Sequence, residues 1–255
     1  MIKSIFISFF LILLTASCVS RKKIAYVNDI ADNKVISNTL SYEVKLQPDD
    51  MLSIIVSAEN PELTVPFNMP QIQINYALEG NQTGIKTYLI DNQGNIDYPV
   101  VGKIKMAGLT KTEANKAIVA KIGDYFKTPP SVNLTITNFK ISVIGEVKLP
   151  STYNVSGSRI TIIEALSRAG DLTIFGSRKN VLIIRESNGQ KTFNRVDLTD
   201  SKFIDSPYYY LAQNDVIYVE PNKTVANNSA IGANTSVIFS SLSILITLLI
   251  LVLKK

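Results

Sequence analysis

Two apolar segments bracket this 255-residue chain, and the stretch between them is patterned for water. Residues 1–17 carry an early Lys3, the apolar run 5–14 and the small residues Thr15, Ala16 and Ser17, which lead to the single cysteine, Cys18. A positive start, a short apolar core and small residues before a cut site describe an export signal. The run is too short to cross a bilayer, which takes about 20 residues. At the other end, residues 236–253 are apolar apart from a few hydroxyls, and Lys254 and Lys255 follow. A chain so marked is expected to be held at a membrane from two sides, with a folded middle outside the lipid.

Cys18 after small residues resembles the lipobox of bacterial lipoproteins, in which the cysteine becomes the lipidated first residue of the mature chain. Thr15 stands where that pattern usually has Leu, with Leu14 one step further out. The alternative is an ordinary secretory signal with an incidental cysteine. One cysteine excludes an internal disulfide framework and a two-thiol metal site. The chain has no histidine, which removes the commonest general base and metal ligand together. No cofactor and no metal are expected. The net charge of +5 comes from lysines scattered along the sequence, whereas nucleic-acid binders gather them on one face, so no nucleic-acid partner is expected.

Residues 18–39 show no regular period and read as a tether. Beyond them, residues 41–46 and 51–56 alternate as half-buried strands around a turn at Pro48, Asp49 and Asp50. A proline-punctuated loop follows, and the turn formers at 91–95 predict a hairpin between 88–90 and 96–100. Thr110 and Glu113 form a T-x-x-E capping box. The stripe Ala114, Ile118, Ile122, Phe126, with Ala117 and Tyr125 alongside, predicts a helix ended by Pro129 and Pro130. Residues 131–136 alternate again. A second unit opens with strands at 141–147 and 151–155 and a second capping box, Thr161 with Glu164, which starts a short helix ending near Gly170. A hairpin spans 181–185 and 192–196 around Asn188-Gly189, and a last strand covers 215–219. The pattern predicts α+β architecture: an α+β unit over 40–137, a β-grasp-like unit over 138–221, a linker over 222–235 and a single transmembrane helix over 236–253.

The chain also echoes itself. Leu46-Gln47-Pro48-Asp49-Asp50-Met51-Leu52 aligns with Leu211-Ala212-Gln213-Asn214-Asp215-Val216-Ile217, each a leucine and a turn leading through Asp into a strand. Turn capping explains Asp50 and Asp215 better than catalysis does. For an enzyme built on carboxylates, Glu146 and Glu164 are the nearest candidates, yet a strand end and a helix cap account for them. Tyr208, Tyr209 and Tyr210 form an aromatic triplet better suited to core or subunit contact than to sugar stacking.

These blocks resemble one family, the outer-membrane polysaccharide export proteins (Wza type) of Gram-negative bacteria. Residues 46–54 resemble the family's L-x-P-G-D-x-L-x-I, with Asp49 in place of the glycine. Residues 96–104 and Gly108-Leu109-Thr110 with Glu113-Ala114 are similar to its I-x-x-P-x-x-G and G-L-T-x-x-E-A block. Residues 142–147 and 150–153 resemble the V-x-G-E-V-x-x-P-G-x-Y that opens a soluble-ligand-binding β-grasp (SLBB) domain, with Ser151 in place of a glycine. The departures at Asp49 and Ser151 are expected to alter turn geometry. The resemblance implies transport rather than catalysis. It implies a lipoprotein of the outer membrane with most of its chain periplasmic, assembled into a homo-oligomeric, octamer-like ring. It further implies a capsular polysaccharide or exopolysaccharide cargo and an inner-membrane co-polymerase or tyrosine-kinase-type partner. The runner-up is a membrane-tethered, non-channel module binding glycan or peptidoglycan.

Within 236–253, Ser236, Ser240, Ser243 and Thr247 fall four, three and four residues apart and draw a polar stripe along one helix face. A lone helix in lipid gains nothing from such a stripe. It is expected either to line a pore or to let neighbouring helices approach closely, and both uses require further copies.

Overall fold

The computed structural model describes residues 25–30, 43–68, 73–74, 82–83, 87–187, 189–225 and 235–253. Cys18, the signal segment and most of the tether lie outside the described residues. Two hydrophobic clusters, one per unit, organise the rest.

In the first unit, β1 (Met51–Ser57) is the central strand of a three-stranded antiparallel sheet. It is flanked by β4 (Tyr88–Leu89) and β7 (Ser131–Ile136). A short ribbon joins β2 (Gln73–Ile74) to β3 (Gln82–Thr83). Leu52, Ile54 and Val56 alternate inward from β1 and are buried, while Ile55 faces out. Helix α1 (Lys111–Ile122) covers the sheet with Ala114, Ile118 and Ile122, each fully buried. Its capping box forms as expected, Thr110 and Glu113 each accepting the other's backbone N–H. Of the two residues placed alongside the stripe, Ala117 is half-buried and Tyr125 is exposed. The Tyr125 ring lies edge-on to buried Phe67 at 5.3 Å.

Two expectations fail here. The turn at Asp91 is present, its carboxylate accepting the N–H groups of Gln93 and Asn95, but its flanks do not pair with each other. β4 pairs with β1, and β5 (Asn95–Tyr98) pairs with β6 (Gly102–Lys105) across a turn where Val100 adopts φ 69°. The segment expected as a strand over 41–46 is also different within its described part. Lys45 makes one bridge to Thr110, and Leu46 bonds the loop at Gly108 and Leu109.

The second unit is a five-stranded mixed sheet in the order β11-β10-β12-β8-β9. The strands are β8 (Lys140–Gly145), β9 (Ser151–Asn154), β10 (Gly176–Ser187), β11 (Gln190–Val196) and β12 (Val216–Pro221). β8 and β12 run parallel, a pairing that needs a crossover. The crossover contains α2 (Ile162–Arg168), which sets Ile162, Ala165 and Leu166 against Ile141, Val143, Ile183 and Ile217. The second capping box forms at Thr161 and Glu164. Gly170 ends the helix at φ 74°. Gly145 is required for closer reasons: its φ is 89°, and a Cβ there would stand 2.2 Å from the Val219 carbonyl oxygen.

Helix α3 (Thr235–Leu253) follows the two units. Among the described residues, no helix is long and apolar enough to cross a membrane, so the transmembrane span expected over 236–253 is not a feature of this structure. α3 is helical over 19 residues, but side chains are described only at 237 and 239–247.

Candidate functional site

The two echoing turns lie side by side at the junction between the units. Asp49 and Asn214 both adopt left-handed backbone, at φ 70° and 62°. In each turn the next residue, Asp50 or Asp215, accepts the N–H of the residue three places back, Gln47 or Ala212. Asp49 therefore keeps the turn that a glycine would make, contrary to the altered geometry expected, because Asp is among the residues that tolerate this region. Ser151 likewise opens β9 in register with Val143.

Asn138 connects the two turns. Its Nδ2 donates to the Asp49 carbonyl at 2.9 Å and its Oδ1 accepts from the Met51 N–H at 2.9 Å. Its own carbonyl accepts from Gln213 Nε2 at 2.8 Å, and Gln213 Oε1 accepts from the Lys140 N–H. Sequence reasoning missed Asn138 and Gln213. Their one signal was position: Gln213 inside the echo and Asn138 just past the end of β7.

The two carboxylates differ in company. Asp215 is fully buried, and Arg185 grips it through Nε and Nη2, the shortest contact being 2.7 Å. Burial still pushes its carboxyl upward, with Arg185 opposing the shift. Asp50 is 1% exposed, and among the described residues no cation pairs with it and its Oδ1 finds no hydrogen-bond partner. Burial pushes its carboxyl up to about 6, against the pull of the Gln47 N–H.

Beside this junction a cleft of about 880 Å³ opens between the units. Glu43, Lys111, Thr112 and Thr135 line the first unit's side, and Ser156, Ser158, Arg159 and Tyr210 the second's. The Arg159 guanidinium lies over the Tyr210 ring at 5.3 Å. Such a wall offers hydroxyls, two cations, the Glu43 carboxylate and an aromatic edge, which suit hydrogen bonding to a polyhydroxylated ligand. The rest of the tyrosine triplet goes elsewhere. Tyr208 and Tyr209 pack on the second core, Tyr208 under Arg185 and Tyr209 against Phe203.

Carboxylate chemistry is not assembled. Glu146 accepts from the Thr173 hydroxyl at 2.7 Å, and Glu164 caps α2; neither lines the cleft. The polar stripe of α3 is described only in part. Ser240, Ser243 and Thr247 are exposed, and the Thr247 hydroxyl donates back to the Ser243 carbonyl at 2.8 Å. The side chain of Ser236 lies outside the described residues, as does Cys18.

Comparison with known proteins assigns both units. Residues 38–137 match the polysaccharide biosynthesis/export protein family model, and residues 139–219 match the SLBB domain model. The chain is 28% identical over 180 residues to the EPS I polysaccharide export outer membrane protein EpsA of Ralstonia solanacearum, covering 68% of this chain and 47% of the relative. It is 29% identical over 177 residues to the protein of the same name from Ralstonia nicotianae, covering 67% of this chain and 45% of that relative. The chain thus spans about half the length of the relatives it matches. The two matches stand in sequence and together cover most of the chain: the first unit belongs to the polysaccharide biosynthesis/export protein family, a family of export proteins and not of enzymes, and the second to the SLBB domain family.

Proposed function

We propose that this protein is a subunit of a homo-oligomeric conduit that carries an exopolysaccharide or capsular polysaccharide across the outer membrane. In this reading Cys18 is lipidated and the two folded units lie in the periplasm. The exposed apolar surface of helix α3 is covered by lipid or by sister helices, and an inner-membrane co-polymerase or tyrosine-kinase-type partner delivers the chain being exported. The outer-membrane location and the cargo class follow the names of the relatives, both polysaccharide export outer membrane proteins.

The observation that carries the reading is the surface of α3. Val237, Phe239, Leu242, Ile244, Leu245 and Ile246 are all more than half exposed. A water-facing helix does not carry that many bare apolar side chains; lipid or sister helices must cover them. Ser240, Ser243 and Thr247 then serve either close helix packing or a hydrated lumen in a ring. The test is native mass spectrometry of the full-length protein extracted in mild detergent. A discrete octamer-like ring, each subunit heavier by an acyl anchor on Cys18, is the expected result, and a monomer refutes the conduit. A second reading, a tethered non-channel glycan-binding module, draws on the hydroxyl-rich cleft around Arg159 and Tyr210; a monomer that binds soluble glycan supports it.

A further inference from the structure

The loop 169–176 between α2 and β10 gathers three features that the fold does not require to meet. The first is a bare apolar tip. Ile174 is 77% exposed, Phe175 44%, and Leu149, on the adjoining turn, 61%. The turns are held together by hydrogen bonds from Leu149 N–H to the Ala169 carbonyl, Lys148 N–H to that of Asp171 and Thr173 N–H to that of Glu146.

The second feature is the N-terminal strap, residues 25–30. Val27 and Asn28 donate backbone N–H groups to the carbonyls of Leu198 and Thr199, and the Asp29 carboxylate accepts both the N–H and the hydroxyl of Ser201. Tyr26 donates its hydroxyl to Asp171 in the loop itself, with Arg178 over its ring at 5.7 Å. Only seven residue steps separate Cys18 from Ala25, a fully extended reach of about 25 Å. Any anchor at Cys18 therefore lies within about 25 Å of a strap that is itself bonded to the tip loop.

The third feature is the exit of the chain toward α3. Asn222, one residue past β12, donates its N–H to the Phe175 carbonyl at 2.7 Å and its Nδ2 to the Ile174 carbonyl at 3.2 Å. The segment leading to the apolar helix thus starts on the tip loop. Exposed Lys148 precedes Leu149 and exposed Lys223 follows Asn222, while nearby carboxylates are engaged: Asp171 by Tyr26, Glu146 by Thr173 and Glu220 by Arg195.

We propose that Leu149, Ile174 and Phe175 form a membrane-docking tip that seats the SLBB unit in the headgroup and upper acyl region of the leaflet carrying its anchors. The inference rests on the reading that Cys18 and α3 are held by the membrane. Given that, both attachments converge on one loop and bring its apolar side chains to the lipid surface. Three large apolar groups gain by leaving water there, and the two lysines meet anionic headgroups. The occupant is lipid because the elements that leave this end are the ones bound for lipid.

The absence of tryptophan from the chain supplies a clean reporter. Full-length Phe175→Trp and, separately, Ile174→Trp are reconstituted into vesicles of phosphatidylethanolamine and phosphatidylglycerol. Parallel vesicles contain phosphatidylcholine brominated high on its acyl chains. Phe193→Trp is the control: Phe193 is exposed and sits opposite Ile184, well along β10 from the tip. The expected result is a blue-shifted emission at 174 and 175 that the bromines quench, with the control unshifted and unquenched. Unshifted emission at the tip overturns the proposal. So does a blue shift without quenching, which would mean that a second copy covers the tip. Flotation of the same vesicles separates the two readings: protein that fails to float refutes membrane attachment itself, whereas protein that floats with an unquenched tip refutes only the docking.

Discussion

Asp50 offers the most direct test of the physical account. It occupies the same turn as Asp215 but lacks an arginine, and burial pushes its carboxyl up to about 6 from an unfolded value of 3.8. Because the folded state holds the proton more tightly, protonated Asp50 favours folding. That contribution is fully present below pH 3.8 and is lost as the pH rises through 6. A difference of about 2 pKa units corresponds to about 3 kcal/mol. The perturbation is Asp50→Asn, whose side-chain carbonyl still accepts the Gln47 N–H and whose charge never changes. Urea unfolding of both proteins, followed by circular dichroism at intervals from pH 4 to pH 8, yields a difference curve in which titrations common to both proteins cancel. Between pH 4, where part of the contribution is already lost, and pH 8, the stability of the natural protein relative to Asp50→Asn should fall by about 2.5 kcal/mol, with its midpoint between the two pKa values. Any pH-independent cost of the new amide moves the whole curve without changing its slope. A flat difference curve would refute the claim that Asp50 ionises inside a desolvated turn.

Other perturbations probe the rest of the frame. Arg185→Met leaves the carboxylate of Asp215 buried and unpaired and should cost about 3–5 kcal/mol in urea unfolding, while adding Asp215→Asn should recover part of the loss. Gly145→Ala forces a Cβ against the Val219 carbonyl at a positive φ and should cost at least about 2 kcal/mol, seen as a lowered thermal midpoint. Asn138→Ala removes two side-chain hydrogen bonds, at about 1 kcal/mol each, and should speed amide exchange at Met51 ahead of the β10 core. Among the described residues the buried Tyr98 hydroxyl has no partner, so Tyr98→Phe should be neutral or stabilising by up to about 1 kcal/mol.

The sequence was most readable where structure is local. The two capping boxes, the Ala114, Ile118, Ile122 stripe, the alternation of β1 and β7 and the break at Gly170 depend on residues within a few places of one another and appear where their patterns put them, whereas Phe126, expected on the same stripe, falls beyond the helix, which ends at Ile122. The echo of the two Asp turns was legible for the same reason. Pairing was less so. The turn at 91–95 is well formed, yet the strand before it goes to β1, because edge selection depends on which partner the folded core brings near.

Tertiary structure alone brought distant residues to one place. Asn138 stitches two turns 165 residues apart in the echo only because β7 ends between them. The cleft needs Lys111 from one unit and Arg159 from the other. Tyr26 reaches Asp171 across 145 positions, and Asn222 returns to Ile174 and Phe175. The chain's own order determined its two units, its apolar ends and its turn chemistry, since those follow from near neighbours and hydrophobic period. What faces what was decided by the folded packing, because contacts between distant residues form only after chain entropy has been spent on closing the long loops between them.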